Sequence, residues 1–195
     1  GGMGIIVLVV AFLPFFKIGG QNMMMAEGSF FSSDKIKARS IDIAKRLWLI
    51  YVILVAAQTG LLKWAGMSWF DSVCHSFATV ATGGFSTKNA SLIQESPMIQ
   101  YIVIFFMIVS GINFTLHYLL FHGKLKRVWA DEELKTYLAI ILVSSLIITV
   151  YIAPWGQFTW EKAFRDALFQ VASIITATGF ASADYQVWPP AAKMV

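Results

Sequence analysis

Two stretches of the chain share an order of residue types that few folds accommodate: a short hydrophobic helix pattern running directly into Thr and Gly. The first reads Asp71-Ser-Val-Cys-His-Ser-Phe-Ala-Thr-Val-Ala-Thr-Gly-Gly-Phe85 and the second Asp166-Ala-Leu-Phe-Gln-Val-Ala-Ser-Ile-Ile-Thr-Ala-Thr-Gly-Phe180. Both lie between stretches long enough to cross a bilayer, yet each is itself too short, since a spanning helix needs about 20 apolar residues. A chain that enters the apolar layer and turns back carries polar backbone at depth. Such backbone is tolerated only inside protein or along a water-filled cavity. The two segments are therefore candidate pore lining.

Composition agrees with a membrane setting. Hydrophobic residues are 57% and charged residues 13% of the chain, against about 45–50% and about 25% in soluble domains. The single cysteine, Cys74, excludes an intramolecular disulfide and a multi-cysteine metal site, and is expected as a buried structural thiol. The net charge of +4 comes from clustered bases: Lys17, Lys35, Lys37, Arg39, Lys45 and Arg46 in the first connection, and Lys124, Lys126, Arg127 and Lys135 in the third. Lys63 and Lys88 stand alone in the second. By the positive-inside rule the first and third connections are cytoplasmic and the Thr/Gly segments open outward. No basic stripe is interleaved with aromatics, so nucleic acid is not an expected partner.

The predicted fold class is all-α integral membrane, built from repeated span, half-helix (pore loop) and span units of a channel-like pore, incomplete. Residues 1–20 are expected to be the inner end of a membrane helix from a preceding repeat, and 21–44 a cytoplasmic loop. Residues 45–122 form a complete unit, with spans at 47–64 and 98–121 around a half-helix at 69–80. Residues 123–135 are a second cytoplasmic loop, and 136–195 a second unit truncated after its pore loop, with a span at 138–154 and a half-helix at 159–175. Trp188-Pro189-Pro190 marks a turn, because proline disfavours helix in the residue before it. Superposing the copies with a shift of 95 positions pairs Asp71 with Asp166 and Gly84 with Gly179; a shift of 96 pairs Ala81-Thr82-Gly83 with Ala177-Thr178-Gly179. The first keeps the half-helix register, and the choice leaves Gly84 or Gly83 as the key glycine of the first copy.

A monovalent cation must exchange its water shell for oxygen ligands, and a ring of backbone carbonyls supplies them without fixed charge. Turning successive carbonyls toward one axis needs conformations that glycine reaches readily. Thr79, Thr82, Thr176 and Thr178 are expected to add hydroxyl oxygens beside the path, and the half-helix C-termini aim partial negative charge at it. Neither Thr/Gly segment holds a carboxylate, against a divalent-selective acidic ring. Asp71, Glu95, Asp166 and Asp184 fall near the outer mouth, with Asp71 and Asp166 expected as helix caps. His75 is expected to pack with its ring hydrogen-bonded, and Asn113 with His117 to bond between helices. Gly111 is expected to allow close helix approach, Trp69, Trp155, Trp160 and Trp188 to form an interfacial belt, and Phe85 and Phe180 to wedge the loops. No catalytic or phosphate-binding motif is present, so the chain is not expected to be an enzyme.

Four ordered motifs carry a resemblance across the whole chain: Gly1-Gly-Met-Gly-Ile-Ile-Val-Leu8, His75-Ser-Phe-Ala-Thr-Val-Ala-Thr-Gly-Gly-Phe-Ser-Thr87, Ser110-Gly-Ile-Asn-Phe-Thr-Leu-His117 and Thr176-Ala-Thr-Gly-Phe-Ala-Ser-Ala-Asp-Tyr185. Together they resemble the TrkH/KtrB family of potassium uptake proteins, on its TrkH side. The resemblance implies one polypeptide of four unlike repeats around one pore, of which this chain matches the end of repeat one, repeat two and most of repeat three. It places filter residues at Val80, Ala81, Thr82, Gly83, Gly84 and Phe85, and at Thr176, Ala177, Thr178, Gly179 and Phe180, with Gly84 and Gly179 as the filter glycines. Potassium is the implied substrate, with no cofactor. A homodimer in the bacterial inner membrane, with a cytosolic nucleotide-binding regulatory subunit of the TrkA/KtrA type, is implied as well. The filters of repeats one and four, the closing helix of repeat three with its intramembrane gate, and the last repeat's basic pore residue have no match here. The competing readings are a non-conducting membrane scaffold and a secondary transporter for another solute.

Overall fold

The structure, a computed structural model, describes the backbone of residues 36–121, 123, 125–154, 159–184 and 188–189, and their side chains apart from those of 36–47, 114, 115, 118 and 121. The expected helix end at 1–20 lies outside these residues. The chain divides into two compact units, Gly1–Ile53 and Leu54–Val195. Helix α1 (Ile36–Trp64) opens in the first unit and ends in the second, to which all the other helices belong.

Residues 36–44, expected in a loop, are helical. The stretch Ile36 to Arg46 contains neither Gly nor Pro, and its Ala, Lys and Arg residues favour helix. At the other end Gly66, at φ +100°, closes α1 by letting Met67 N–H reach Leu62 O (3.1 Å) and its own N–H reach Lys63 O (3.1 Å). Half-helix α2 (Trp69–Val80) has its expected bounds, started by Ser68, whose hydroxyl accepts the Asp71 N–H. Ser96 and Pro97 start α3 (Pro97–Ser110) in the same way, with proline where its missing N–H costs nothing.

The span expected over 98–121, an apolar run interrupted by Ser110, Gly111 and Asn113, is two helices, α3 and α4 (Phe114–Phe121), with the break at that interruption. At the interruption, Gly111 N–H reaches Met107 O at 3.0 Å and Ile108 O at 3.2 Å, and Ile112 N–H reaches Val109 O at 3.2 Å, so the carbonyls of Ile108 and Val109 keep a tighter backbone donor in place of the regular helical one. Both also accept from side chains: Tyr137 O–H donates to Ile108 O at 3.1 Å and His117 Nε2–H to Val109 O at 3.0 Å. In an apolar layer such substitution is what makes a break tolerable. His117 thus bonds back across the break in its own span. A Cβ on Gly111 would lie 2.4 Å from Tyr137 Oη and 2.9 Å from Thr176 Cγ2, so the close approach expected of this glycine is real.

The loop expected at 123–135 also contains helix. Gly123, at φ +69°, precedes α5 (Leu125–Ala130), and α6 (Glu132–Ile152) starts at once on the Asp131 cap with Glu132 and Glu133 in its first turn. By length and composition α6 is able to cross a membrane. Its exposed Leu142, Val143, Leu146, Ile147 and Val150 need no protein cover against lipid. Thr159 caps the second half-helix, α7 (Trp160–Ile175).

Helix α7 packs against both α6 and α3, and α2 packs on α3. Ala163, Ala167 and Val171, spaced four apart, set one row of α7 against Ile141, Ile148 and Ile152 of α6, with Trp188 closing that cluster. Phe169 and Ala172 turn the other way, into a core with Leu62, Met67, Ala78, Leu92, Ile99, Val103, Met107 and Phe180. The second half-helix is thereby wedged between its own span and the preceding copy, which fixes where its C-terminal end points. Trp188, expected in an interfacial belt, is buried, whereas Trp69 and Trp160 are exposed; Trp155 lies outside the described residues.

Candidate functional site

Both half-helices end in the same six-residue turn. In α2, Thr82 N–H reaches Thr79 O (2.9 Å) and Gly83 N–H reaches Ala78 O (2.7 Å); in α7, Ala177 N–H reaches Ile174 O (3.0 Å) and Thr178 N–H reaches Ser173 O (2.8 Å). This termination requires a left-handed residue, usually glycine. Here it is Thr82 (φ 49°) and Ala177 (φ 54°), followed two residues later by Gly84 (φ 67°) and Gly179 (φ 87°). Gly83 and Thr178, between them, are not in the positive region. The repeated order of handedness fits the shift of 95 and makes Gly84, not Gly83, the counterpart of Gly179. A left-handed Cβ costs about 1–2 kcal/mol, and Ala177 is exposed. Ala177→Gly is therefore expected to raise unfolding stability by about 1 kcal/mol, read as a higher thermal midpoint in detergent.

The two turns come together. A Cβ built on Gly84 would lie 2.0 Å from Thr178 O, 3.0 Å from Thr178 C and 3.2 Å from Gly179 C, so the backbones of the two segments touch at this point. A second junction follows each turn: Leu92 N–H donates to Ala181 O (3.0 Å), and Ala181 N–H to Ser91 Oγ (3.2 Å). Phe180, 1% exposed, plugs the core shared with Ala78 and Leu92. Phe85, expected to wedge its loop in the same manner, is instead 82% exposed. The pocket that receives Phe180 is built by the preceding copy, and Phe85 meets no equivalent one among the described residues.

Polar side chains brace each turn from behind. Asp71 accepts the Thr87 hydroxyl at 2.6 Å, and Asp166 accepts that of Ser182 at 3.3 Å. These pairs are again 95 positions apart, and each ties a half-helix to the segment leaving its turn. Neither aspartate is the helix cap expected of it; Ser68 and Thr159 take that place. The hydroxyls of Thr87 and Ser68 hold the carboxyl of half-buried Asp71 below the usual carboxylate range, and Glu95 beside Lys88 holds that ammonium above its ordinary value. His75 is fully buried; its Nδ1–H donates to Asp71 O (2.8 Å), which leaves Nε2 to accept the Ser86 hydroxyl at 3.0 Å. Gln170, its counterpart, donates to Ala183 O at 3.3 Å.

Three of the four threonine hydroxyls expected beside the path, those of Thr79, Thr176 and Thr178, donate within the protein. Thr79 Oγ1 donates to His75 O (2.6 Å) and accepts from buried Gln58 Nε2 (2.9 Å). Thr176 Oγ1 donates to Ala172 O (2.7 Å), so Thr178 is the donor in the 2.7 Å pair between the two hydroxyls. In apolar surroundings a hydroxyl takes the nearest carbonyl, which is the one four residues back. Among the described residues, no N–H or O–H donor reaches the carbonyls of Thr82, Gly83, Ala177 or Thr178, while Phe180 O accepts from Ser173 Oγ at 2.7 Å. Carbonyl oxygens without a donor are the kind of ligand a desolvated cation can use. Among the described residues no group of His, Cys, Asp and Glu is arranged to hold a metal ion, and Cys74 is only half-buried.

A family model described as "TrkH: Cation transport protein" matches residues 1–195. The chain belongs to the TrkH family. It is 40% identical over 195 residues to the Trk system potassium uptake protein TrkH of Escherichia coli K12, covering 97% of this chain and 40% of that protein. It is 34% identical over 192 residues to the Trk system potassium uptake protein TrkG of the same organism, again covering 97% and 40%. The crystal structure of the potassium transporter TrkH from Vibrio parahaemolyticus superposes with a TM-score of 0.75 at 36% identity, covering 96% of this chain and 38% of that one. The chain thus spans about 40% of the length of the curated relatives it matches.

Several residues that shape this TrkH-family site escape the sequence. Ser91, Leu92 and Gln100 lie in or beside a loop without a repeat signature, Gln58 sits in an otherwise apolar span, and Tyr137 lies one residue before the span expected at 138–154. The one available signal was a polar residue inside an apolar run, which marks buried hydrogen bonding without naming the partner.

Proposed function

We propose that this chain supplies two neighbouring sectors of a potassium-selective pore, in which the backbone carbonyls of 80–85 and 176–179 replace the ion's hydration water and Phe180 anchors the second segment. One observation carries the reading: two segments with matching left-handed positions meet backbone to backbone at Gly84 and Thr178. The names of the relatives, potassium uptake proteins, point to the same ion. A Cβ on Gly179 would meet nothing within 4 Å, as suits a segment whose own neighbour is a further copy. The activity is transport, without chemical conversion of the ion.

In this reading the half-helices enter from the outer face of a bacterial inner membrane. The connections at 21–44 and 123–135, helical in part, lie on the cytoplasmic side. There they face a nucleotide-binding regulatory subunit of the TrkA/KtrA type in a homodimeric assembly. Potassium uptake by the full-length gene product, in cells lacking other uptake systems, tests the reading. Growth at limiting potassium is expected; no uptake would favour a scaffold, and uptake of an organic solute competing with potassium would favour a different transporter. Gly179→Ser places a Cβ in the left-handed region at about 1–2 kcal/mol. It is expected to lower potassium-over-sodium discrimination about fivefold in flux measurements, the factor that 1 kcal/mol represents.

A further inference from the structure

The residue that follows the second filter segment, Ala181, is held by the first copy. Its carbonyl accepts Leu92 N–H at 3.0 Å and its N–H donates to Ser91 Oγ at 3.2 Å. Leu92 is itself held, because Gln100 Nε2 donates to Leu92 O at 2.8 Å from the first turn of α3. Leu92 and Gln100 are buried, at 0% and 3% exposure, which shields the bond between them from water, while Ser91 and Ala181 are half-buried. Ser91 adopts a left-handed conformation, φ 52°, to present its hydroxyl. A non-glycine residue persists there only when its surroundings over-determine it. The result is a strap of three hydrogen bonds from a rigid helix of one copy, through a loop, to the filter backbone of the next.

We propose that Ser91, Leu92 and Gln100 are positioning residues that fix the spacing of the two filter segments and thereby set the discrimination between potassium and sodium; this rests on the pore reading above. None of the three touches the ion. Selectivity in a carbonyl filter depends on how many oxygens surround the ion and how firmly they are held. A strap that locks one segment to its neighbour acts on that firmness. Losing it leaves the carbonyls in place but lets them adjust to a smaller ion.

The test uses full-length protein in proteoliposomes, with potassium and sodium fluxes measured separately. Ser91→Gly deletes the hydroxyl while relieving the left-handed strain, so folding does not suffer from backbone conformation. Gln100→Leu deletes the donor together with Oε1, a buried oxygen with no partner among the described residues. Each is expected to lower the potassium-over-sodium ratio about fivefold, the equilibrium factor of one ordinary hydrogen bond, with potassium flux retained. Ser91→Asn, which tolerates the left-handed region and keeps a side-chain acceptor, is expected to hold the ratio near that of the parent. An unchanged ratio in both deletions, or potassium and sodium fluxes falling in parallel, overturns the proposal. Gly84→Ala in the same assay separates the two levels. If it shifts the ratio and the strap variants do not, the strap fails and the pore stands; if none of them shifts it, the pore reading fails as well.

Discussion

Gly84→Ala is expected to abolish most potassium uptake and to blunt whatever discrimination remains. The new Cβ would sit 2.0 Å from the Thr178 carbonyl oxygen and 3.0 Å from its carbon, both backbone atoms with no rotamer to yield. Relief requires one segment to move as a whole. Overpacking of this kind costs about 1–3 kcal/mol, and the left-handed φ of 67° adds about 1–2 kcal/mol for any residue with a Cβ. Together these reach roughly 2–5 kcal/mol, or at least a tenfold loss, spent where two segments must stay in register. Rubidium or potassium influx at matched membrane expression checks the outcome. Wild-type flux and selectivity in this variant would mean that the contact has no part in permeation.

Gly111→Val is the second large effect, and it acts from below the turn. Its Cβ would meet Tyr137 Oη at 2.4 Å and Thr176 Cγ2 at 2.9 Å. The phenol is displaced from Ile108 O, and Thr176, whose hydroxyl accepts that of Thr178, is pushed out of place at the end of α7. The expected destabilisation is about 2–4 kcal/mol, combining overpacking with a lost hydrogen bond in an apolar setting. Tyr137→Phe alone loses only the bond, about 1 kcal/mol. Because the Phe variant also removes the atom in the closest contact, Gly111→Ala combined with Tyr137→Phe is expected to cost less than the sum of the two single changes. Thermal unfolding of the four proteins in detergent measures that coupling. Strict additivity would mean that Gly111 and Tyr137 do not meet.

The half-helices and their Thr/Gly turns were legible because length and local composition decide them: a segment of 12 or 16 helical residues cannot cross a bilayer, whatever surrounds it. Their register was legible only in part. Gly83 and Gly84 look alike in sequence, and what separates them is φ, which depends on how the preceding helix closes. That closure falls on Thr82 and Ala177, residues whose type gives no hint of a left-handed backbone. The break in the 98–121 span was legible only as an interruption. Ser110, Gly111 and Asn113 interrupt an apolar run, but whether a helix breaks there depends on donors arriving from elsewhere, and Tyr137 lies 26 positions beyond Gly111. The bonds of Thr79 and Thr176 were not legible because an i−4 carbonyl is within reach of any threonine at a helix end, and residue type does not say whether the hydroxyl takes it. The Asp71 and Asp166 assignments failed on position: three and seven residues past the true caps, both are too far inside their helices to cap them.

The contrast between Phe85 and Phe180 gives the pair of segments a front and a back. On one flank a phenylalanine protrudes, 82% exposed; on the other, a glycine at position 179 looks into space. In the pore proposed above, these unlike flanks call for unlike neighbours: a surface that receives the ring of Phe85 on one, and a segment that fills the space beside Gly179 on the other.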